Sequence, residues 1–268
     1  MFENLDAIDW AALRHAYGSA GDVPESLRDT VAADPETRRA AWADLGGSII
    51  HQGSRYSATA AAVPFLLEIA ADPAVPQREN ALWFLMVAAT GDIERLDEPF
   101  ESHPADWPPQ AETDESAAYE AVAAGIPLFA ELARTVEPGV GADFSIAVPA
   151  VRLLSVFPGH APTCAPALHR AAASDEILPF AAAEALLGLG VLVPPGTAEH
   201  DDLLARRLGD PDGDLRLAAA VTAVRLGRTA LRDRAEPILR EWANHEGPEE
   251  PPWSGEREEL AAAALEKL

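Results

Sequence analysis

Asp34-Pro35-Glu36-Thr37-Arg38-Arg39-Ala40-Ala41-Trp42 reads as the opening of a helix, and its recurrence decides the fold. An aspartate accepts hydrogen bonds from the free N–H groups of a first turn. Proline is tolerated there because its missing N–H would have had no intrahelical partner. Asp210-Pro211 introduces a second copy, where Asp214-Leu215-Arg216-Leu217-Ala218-Ala219 repeats the acid-x-Arg-x-Ala-Ala core. A third copy, Asp175-Glu176-Ile177-Leu178-Pro179-Phe180-Ala181-Ala182, places its alanine pair 37 residues ahead of Ala218-Ala219.

A second theme alternates with the first: a proline followed by apolar residues early in a helix. It occurs as Val63-Pro64-Phe65-Leu66, Ile126-Pro127-Leu128-Phe129, Ala165-Pro166-Ala167-Leu168 and Glu236-Pro237-Ile238-Leu239, with a proline-free copy at Asp201–Leu208. A period in the high thirties with two helices per period is the signature of stacked helical hairpins. The spacing predicts first helices over 35–50, 77–90, 143–157, 175–189 and 212–226. It predicts second helices over 57–71, 116–135, 161–173, 199–208 and 229–244. Segments 9–17 and 23–33 read as an N-terminal hairpin of helices and 254–267 as a last helix. Within them the apolar spacing is helical, as at Leu66, Leu67 and Ala70 or Leu217, Val221 and Val224. No alternating Val/Ile-rich run calls for a sheet.

Composition agrees. Hydrophobic residues make up 48% and aromatic residues only 6%, because alanine, the best helix former, carries much of the apolar content. The 23 prolines are compatible with helices if they mark helix starts. The expected fold is all-α, a right-handed α-solenoid of five to six hairpins forming one domain over 1–268, with an acidic inserted loop at 92–115.

The helix beginning Asp-Pro-x-x-x-Arg and the Pro-Phe-Leu-Leu helix that follows it resemble HEAT repeats, in particular the short type found in phycobilisome-lyase-like proteins. Ile50–Thr59, Ala118–Pro127 and Leu153–Pro158 are similar to stretches of actinobacterial HEAT-repeat proteins without assigned activity. The resemblance covers most of 5–245. It implies a concave face lined by the second helices, a surface that commonly binds proteins.

The chain carries 44 acidic against 20 basic residues, a formal charge of −24. Nucleic acid and anionic membranes are disfavoured partners, since their binding rests on neutralising phosphates. Such a charge suits solubility first, and it also suits a basic protein partner, whose encounter it would steer. The start of the chain lacks the basic and apolar regions of a secretion signal, and no apolar run reaches a bilayer span, so the expected location is cytoplasmic.

Two features interrupt the repeat. Loop 92–115 holds nine acids, among them Asp97, Glu98 and Glu101, beside Phe100 and Trp107 and with Arg95 as its one cation. Acids around isolated aromatics suit docking onto a basic, partly apolar surface; the other reading is an acidic excursion with Trp107 folded back. The second feature is His51-Gln52-Gly53-Ser54-Arg55-Tyr56-Ser57. Gly53 is expected to be the left-handed residue ending a helix and Ser57 the cap of the next. His51, Gln52, Arg55 and Tyr56 then form either a binding cluster, or a structural turn in which His51 bonds a helix-end carbonyl and Tyr56 covers the neighbouring hairpin.

Catalytic patterns are scarce. The seven histidines share no i, i+3 or i, i+4 pairing, and Cys164 is a lone cysteine expected to be a buried structural thiol. Neither a nucleophile elbow nor a glycine-rich phosphate loop occurs, and Gly188-Leu189-Gly190 reads as a helix end. No cofactor or metal is expected. The sequence points to a non-catalytic protein-binding module whose partner is a basic protein such as a toxin or nuclease, inhibited in the manner of an immunity protein. The alternative, resting on the resemblance, is an enzyme or chromophore lyase of the phycobilisome-lyase-like type acting on a protein-bound ligand.

Overall fold

Helix-opening chemistry sets where the elements fall. The computed structural model describes residues 1–91, 113–137, 145–244 and 257–268, and among these the chain is all-helical apart from one two-stranded ribbon. They form two compact units, one of the described residues up to Leu128 and the other of those from Phe129 onward.

In the first unit, α1 (Val23–Asp29) packs on α2 (Pro35–Ser48). Two further helices, α3 (Ser57–Ala71) and α4 (Glu79–Thr90), pack on each other and on α5 (Asp114–Ala123). The core is built from Leu27, Leu45, Ile49, Leu66, Ile69, Leu82 and Leu85, all fully buried, and Trp42 of α2 packs its ring at a tilt against that of Phe84 of α4, 4.9 Å between centroids. The expected helix over 9–17 is absent. Trp10 to Ala12 make one tight turn, followed by antiparallel β1 (Arg14–His15) and β2 (Gly18–Ser19). Local side-chain bonds outcompete a helix here: Trp10 Nε1 donates to Leu5 O at 2.8 Å, Ser19 Oγ to Ala11 O at 2.9 Å, and His15 Nδ1 accepts from Tyr17 N at 3.0 Å.

α6 (Ile126–Leu132) carries the boundary between the units; the expected single helix over 116–135 breaks at Ala124-Gly125. The second unit comprises α7 (Ala147–Ser155), α8 (Ala161–Ala173), α9 (Pro179–Leu192), α10 (Asp201–Arg207), α11 (Gly213–Arg225), α12 (Arg232–Ala243) and α13 (Arg257–Leu265). Each of α7, α9, α11 and α13 packs on the next, while α8 lies against α7 and α9 and α12 against α11 and α13. The layers approach closely because the contact positions are small. Ala181, Ala182, Ala183 and Ala185 of α9 are buried. A Cβ at Gly188 would lie 2.2 Å from Ser155 Oγ of α7. Gly188 is therefore inside α9, as a site of helix approach, and does not end the helix as its sequence context suggests.

The helix starts reveal the chemistry behind the repeat. Asp34 caps α2, accepting from Thr37 N at 2.9 Å, as expected. The cap of α11 is Asp212 and not Asp210; Asp212 accepts from Leu215 N at 3.0 Å. Asp210 instead accepts from the backbone of Asp212 and from Arg207. With the caps aligned, an arginine stands four residues after each. Arg38 Nη1 donates to the carbonyls of Ala32 and Ala33 at 2.8 and 3.0 Å, and Arg216 Nη1 to those of Asp210 and Pro211 at 2.8 and 2.9 Å. In both cases these are the two residues just before the cap. At α9 the matching position is Pro179, and the equivalent carbonyls of Ala173 and Ser174 are covered from α10 by Arg206 and Arg207, each at 2.6 Å.

Of the prolines of the second theme, Pro127 stands in the first turn of α6 as expected, and the other three depart from expectation. Pro64, Pro166 and Pro237 lie inside α3, α8 and α12, not at their starts. All three are on the exposed face, where water can satisfy the carbonyl that loses its N–H partner.

Candidate functional site

The segment between α2 and α3 begins with Ile49 and Ile50 buried and then turns sharply. Gly53 has φ +78, as the sequence suggests, but it ends a tight turn over His51–Gly53 and not the helix; Gln52 joins it in the left-handed region at φ 50. The cap also shifts by one residue. Tyr56 occupies the N-cap position, its N–H donating to Thr59 Oγ1 at 2.8 Å, and Thr59 Oγ1 donates in turn to Ile49 O. Ser57 Oγ accepts from Arg14 N at 2.9 Å, tying the ribbon to the start of α3.

The four candidate residues are drawn to different neighbours. Gln52 is exposed. His51 lies with its ring 5.6 Å from that of Tyr17, the 73%-exposed tip residue of the ribbon. Tyr17 also meets His15 edge-on at 6.1 Å, and His15 Nε2 donates to Asp22 at 2.9 Å. Arg55 turns the other way. Its Nη1 donates to Gly53 O at 3.1 Å, and the guanidinium fills the space that a side chain at Gly91 would take: a Cβ there would fall 1.2 Å from Nη1. Gly91 is the left-handed C-cap of α4, at φ +79, so glycine is required there twice over.

Gly91 and Thr113 flank 92–112, and Arg55 serves both ends of that segment. Thr113 caps α5 through a reciprocal exchange with Ser116, whose N–H donates to Thr113 Oγ1 at 3.2 Å. Next to the cap, Glu115 is held below the usual carboxylate range by its own backbone N–H, by the Thr113 hydroxyl and by the charge of Arg55. The structure thus brings Arg55 of one sequence-identified feature to the base of the other. Asp114 and Glu115, read from sequence as loop acids, belong to the first turn of α5, where negative charge is favoured. Asp97, Glu98, Glu101 and Trp107 lie outside the described residues.

Sequence patterns missed two arrangements in the second unit. His169 of α8 and His200, which precedes α10, meet Nδ1 to Nδ1 at 2.8 Å although 31 residues separate them. His200 is buried, and burial followed by the charge of His169 pushes its pKa down. Arg152 of α7 and Glu184 of α9 form a buried bidentate ion pair, with Arg152 Nε 2.9 and 2.7 Å from the two carboxylate oxygens. No i, i+3 or i, i+4 spacing announces either, because the partners stand 31 and 32 residues apart in the chain. Cys164 is fully buried, and burial pushes its thiol up to about 12, so no thiolate forms near neutrality. Among the described residues, no group of three or more His, Cys, Asp or Glu side chains is placed to hold a metal ion. Nor is any described helix long and apolar enough to cross a membrane.

No family model matches the chain and no curated protein is detectably similar to it.

Proposed function

We propose that this chain is a HEAT-like α-solenoid acting as a non-catalytic binding module for a basic protein, with the cytoplasm as its setting. The repeat reading is supported by the two Asp-capped, Arg-closed helix starts of α2 and α11, and by the third pair of carbonyls before α9 that arginines cover from α10.

The observation that carries the binding reading is how the cations are used. The excess of 44 acids over 20 bases is large, and many of the arginines are committed to the fold. Arg38, Arg78, Arg216 and Arg234 donate to backbone carbonyls, and Arg152 is sealed on Glu184. A guanidinium spent on carbonyls neutralises no carboxylate, so these four add nothing against the excess of acids, and an acidic surface steers basic partners. The acid-rich segment whose flanks meet at Arg55 is the favoured contact, together with the face of the second helices. A toxin or nuclease that binds polyanions is the kind of partner that fits, the chain occupying its substrate-binding surface.

The test is affinity capture from the source organism with the full chain and with an Asp97→Asn/Glu98→Gln/Glu101→Gln variant, at low and moderate salt. The expected result is a basic protein captured by the native chain, weakened by salt and depleted from the variant. Equal, salt-independent capture by both proteins would overturn the electrostatic reading.

A further inference from the structure

Two imidazole nitrogens 2.8 Å apart share one hydrogen, and that places a constraint on their protonation. One Nδ1 must carry a proton and donate while the other must be bare and accept. If both rings become cationic, two N–H groups point at each other with no acceptor between them, and two charges are forced together at the edge of the core. We propose that the His169–His200 pair is a proton-operated latch that holds the start of α10 to α8 and opens in acid. With only two nitrogens converging and no third donor grouped with them among the described residues, the pair does not constitute a metal site.

The surroundings oppose the downward shift of His200 without reversing it. Glu199 and Asp201 flank His200 and their charges favour its cationic form, but less than burial and His169 disfavour it; Glu199 is exposed and Asp201 is held by Arg228, which donates to both its carboxylate oxygens at 2.5 Å. Of the other charged groups nearby, Asp202 of α10 and Arg170 of α8 are exposed. Glu184, the charged residue of α9, is taken by Arg152. On α11, Asp214 pairs with Arg257, Arg216 covers carbonyls and Arg225 lies against Gly190 of α9. At its other end α10 is pinned to the end of α8 by Arg206 and by Arg207, whose Nε donates to Ala172 O at 2.9 Å. Arginine does not titrate, so this end stays closed at any pH of interest. Acid therefore releases one end of α10 only.

The sign follows from the lowered pKa of His200. The open state binds more protons than the closed one. The closed contact is fully formed above the ordinary histidine value of about 6.5 and is lost as pH falls below it.

The test is hydrogen exchange of the full chain, corrected for intrinsic rates, followed at the amides of α10 from about pH 8 to about pH 5, with α12 as the internal reference. Uptake of one proton on opening predicts that the open population of α10 rises about tenfold per pH unit below the transition, while α12 does not follow. In His200→Asn the side-chain amide replaces the Nδ1 contact without titrating, and that rise should vanish. A flat response in the native chain, or the same slope in the variant, would overturn the latch. Nitrogen-15 spectra of the native side chains decide independently of any variant's folding. One ring protonated at Nδ1 and its neighbour bare at Nδ1 is the expected result. Two rings both protonated at Nε2 alone, titrating independently near the ordinary value, would overturn it.

Discussion

Arg38 in the first unit and Arg216 in the second occupy the same place, four residues after a capping aspartate, and each closes the two carbonyls before its cap. Their settings differ. Arg38 is 7% exposed and also reaches Gln77, whereas Arg216 is half-buried. Between them, the start of α9 has Pro179 in the arginine's place, and Arg206 and Arg207 reach its carbonyls from α10. What persists across the three is the pair of carbonyls covered by guanidinium; the residue that supplies the guanidinium changes. An arginine serves here because its planar fork can span two acceptors without needing a carboxylate partner.

Substitutions at these arginines and their partners should differ widely in cost. The largest effect is expected where a buried arginine does depend on a carboxylate. Glu184→Ala would leave Arg152 charged and buried, a loss of about 3–5 kcal/mol, whereas Arg152→Met with Glu184→Leu should recover most of it. Denaturant unfolding followed on the amides of α9 measures both. Next come the carbonyl-closing arginines. Arg38→Ala should cost about 1.5–3 kcal/mol and the half-buried Arg216→Ala about 0.5–1.5 kcal/mol. The reverse order in the same assay would show that burial is not what separates the two copies. The smallest effect concerns the caps: Asp212→Ala should cost about 1 kcal/mol. Asp175→Ala should change stability by less than about 0.5 kcal/mol, because α9 begins four residues later and Asp175 meets its arginines at an exposed position.

Much of this was legible in the sequence. The helices over 57–71 and 161–173 fall where the spacing places them, and α2, α4 and α11 fall within two residues of it. The prolines misled because a proline on a solvent face interrupts a helix less than one facing the core, so Pro64, Pro166 and Pro237 sit beyond the starts they were expected to mark. The ribbon at Arg14–Ser19 escaped notice because its stabilising bonds run from side chain to backbone, which apolar periodicity does not register. For the site, residue types were readable but directions were not. Arg55 and His51 are four apart in sequence, and the left-handed pair Gln52 and Gly53 between them turns the chain so that one meets Gly91 and the other Tyr17. The His169–His200 and Arg152–Glu184 pairs depend on which helix packs on which, and that information lies in the assembled fold alone.

The proposed docking of a basic partner on the acidic segment whose flanks meet at Arg55 is tested by hydrogen exchange of the captured complex against the free chain. Protection should be concentrated at the first turn of α5 and at 51–57, strongest at low salt and diminished in the Asp97→Asn/Glu98→Gln/Glu101→Gln variant. Protection confined to the second unit, unchanged by salt and by the variant, would contradict it.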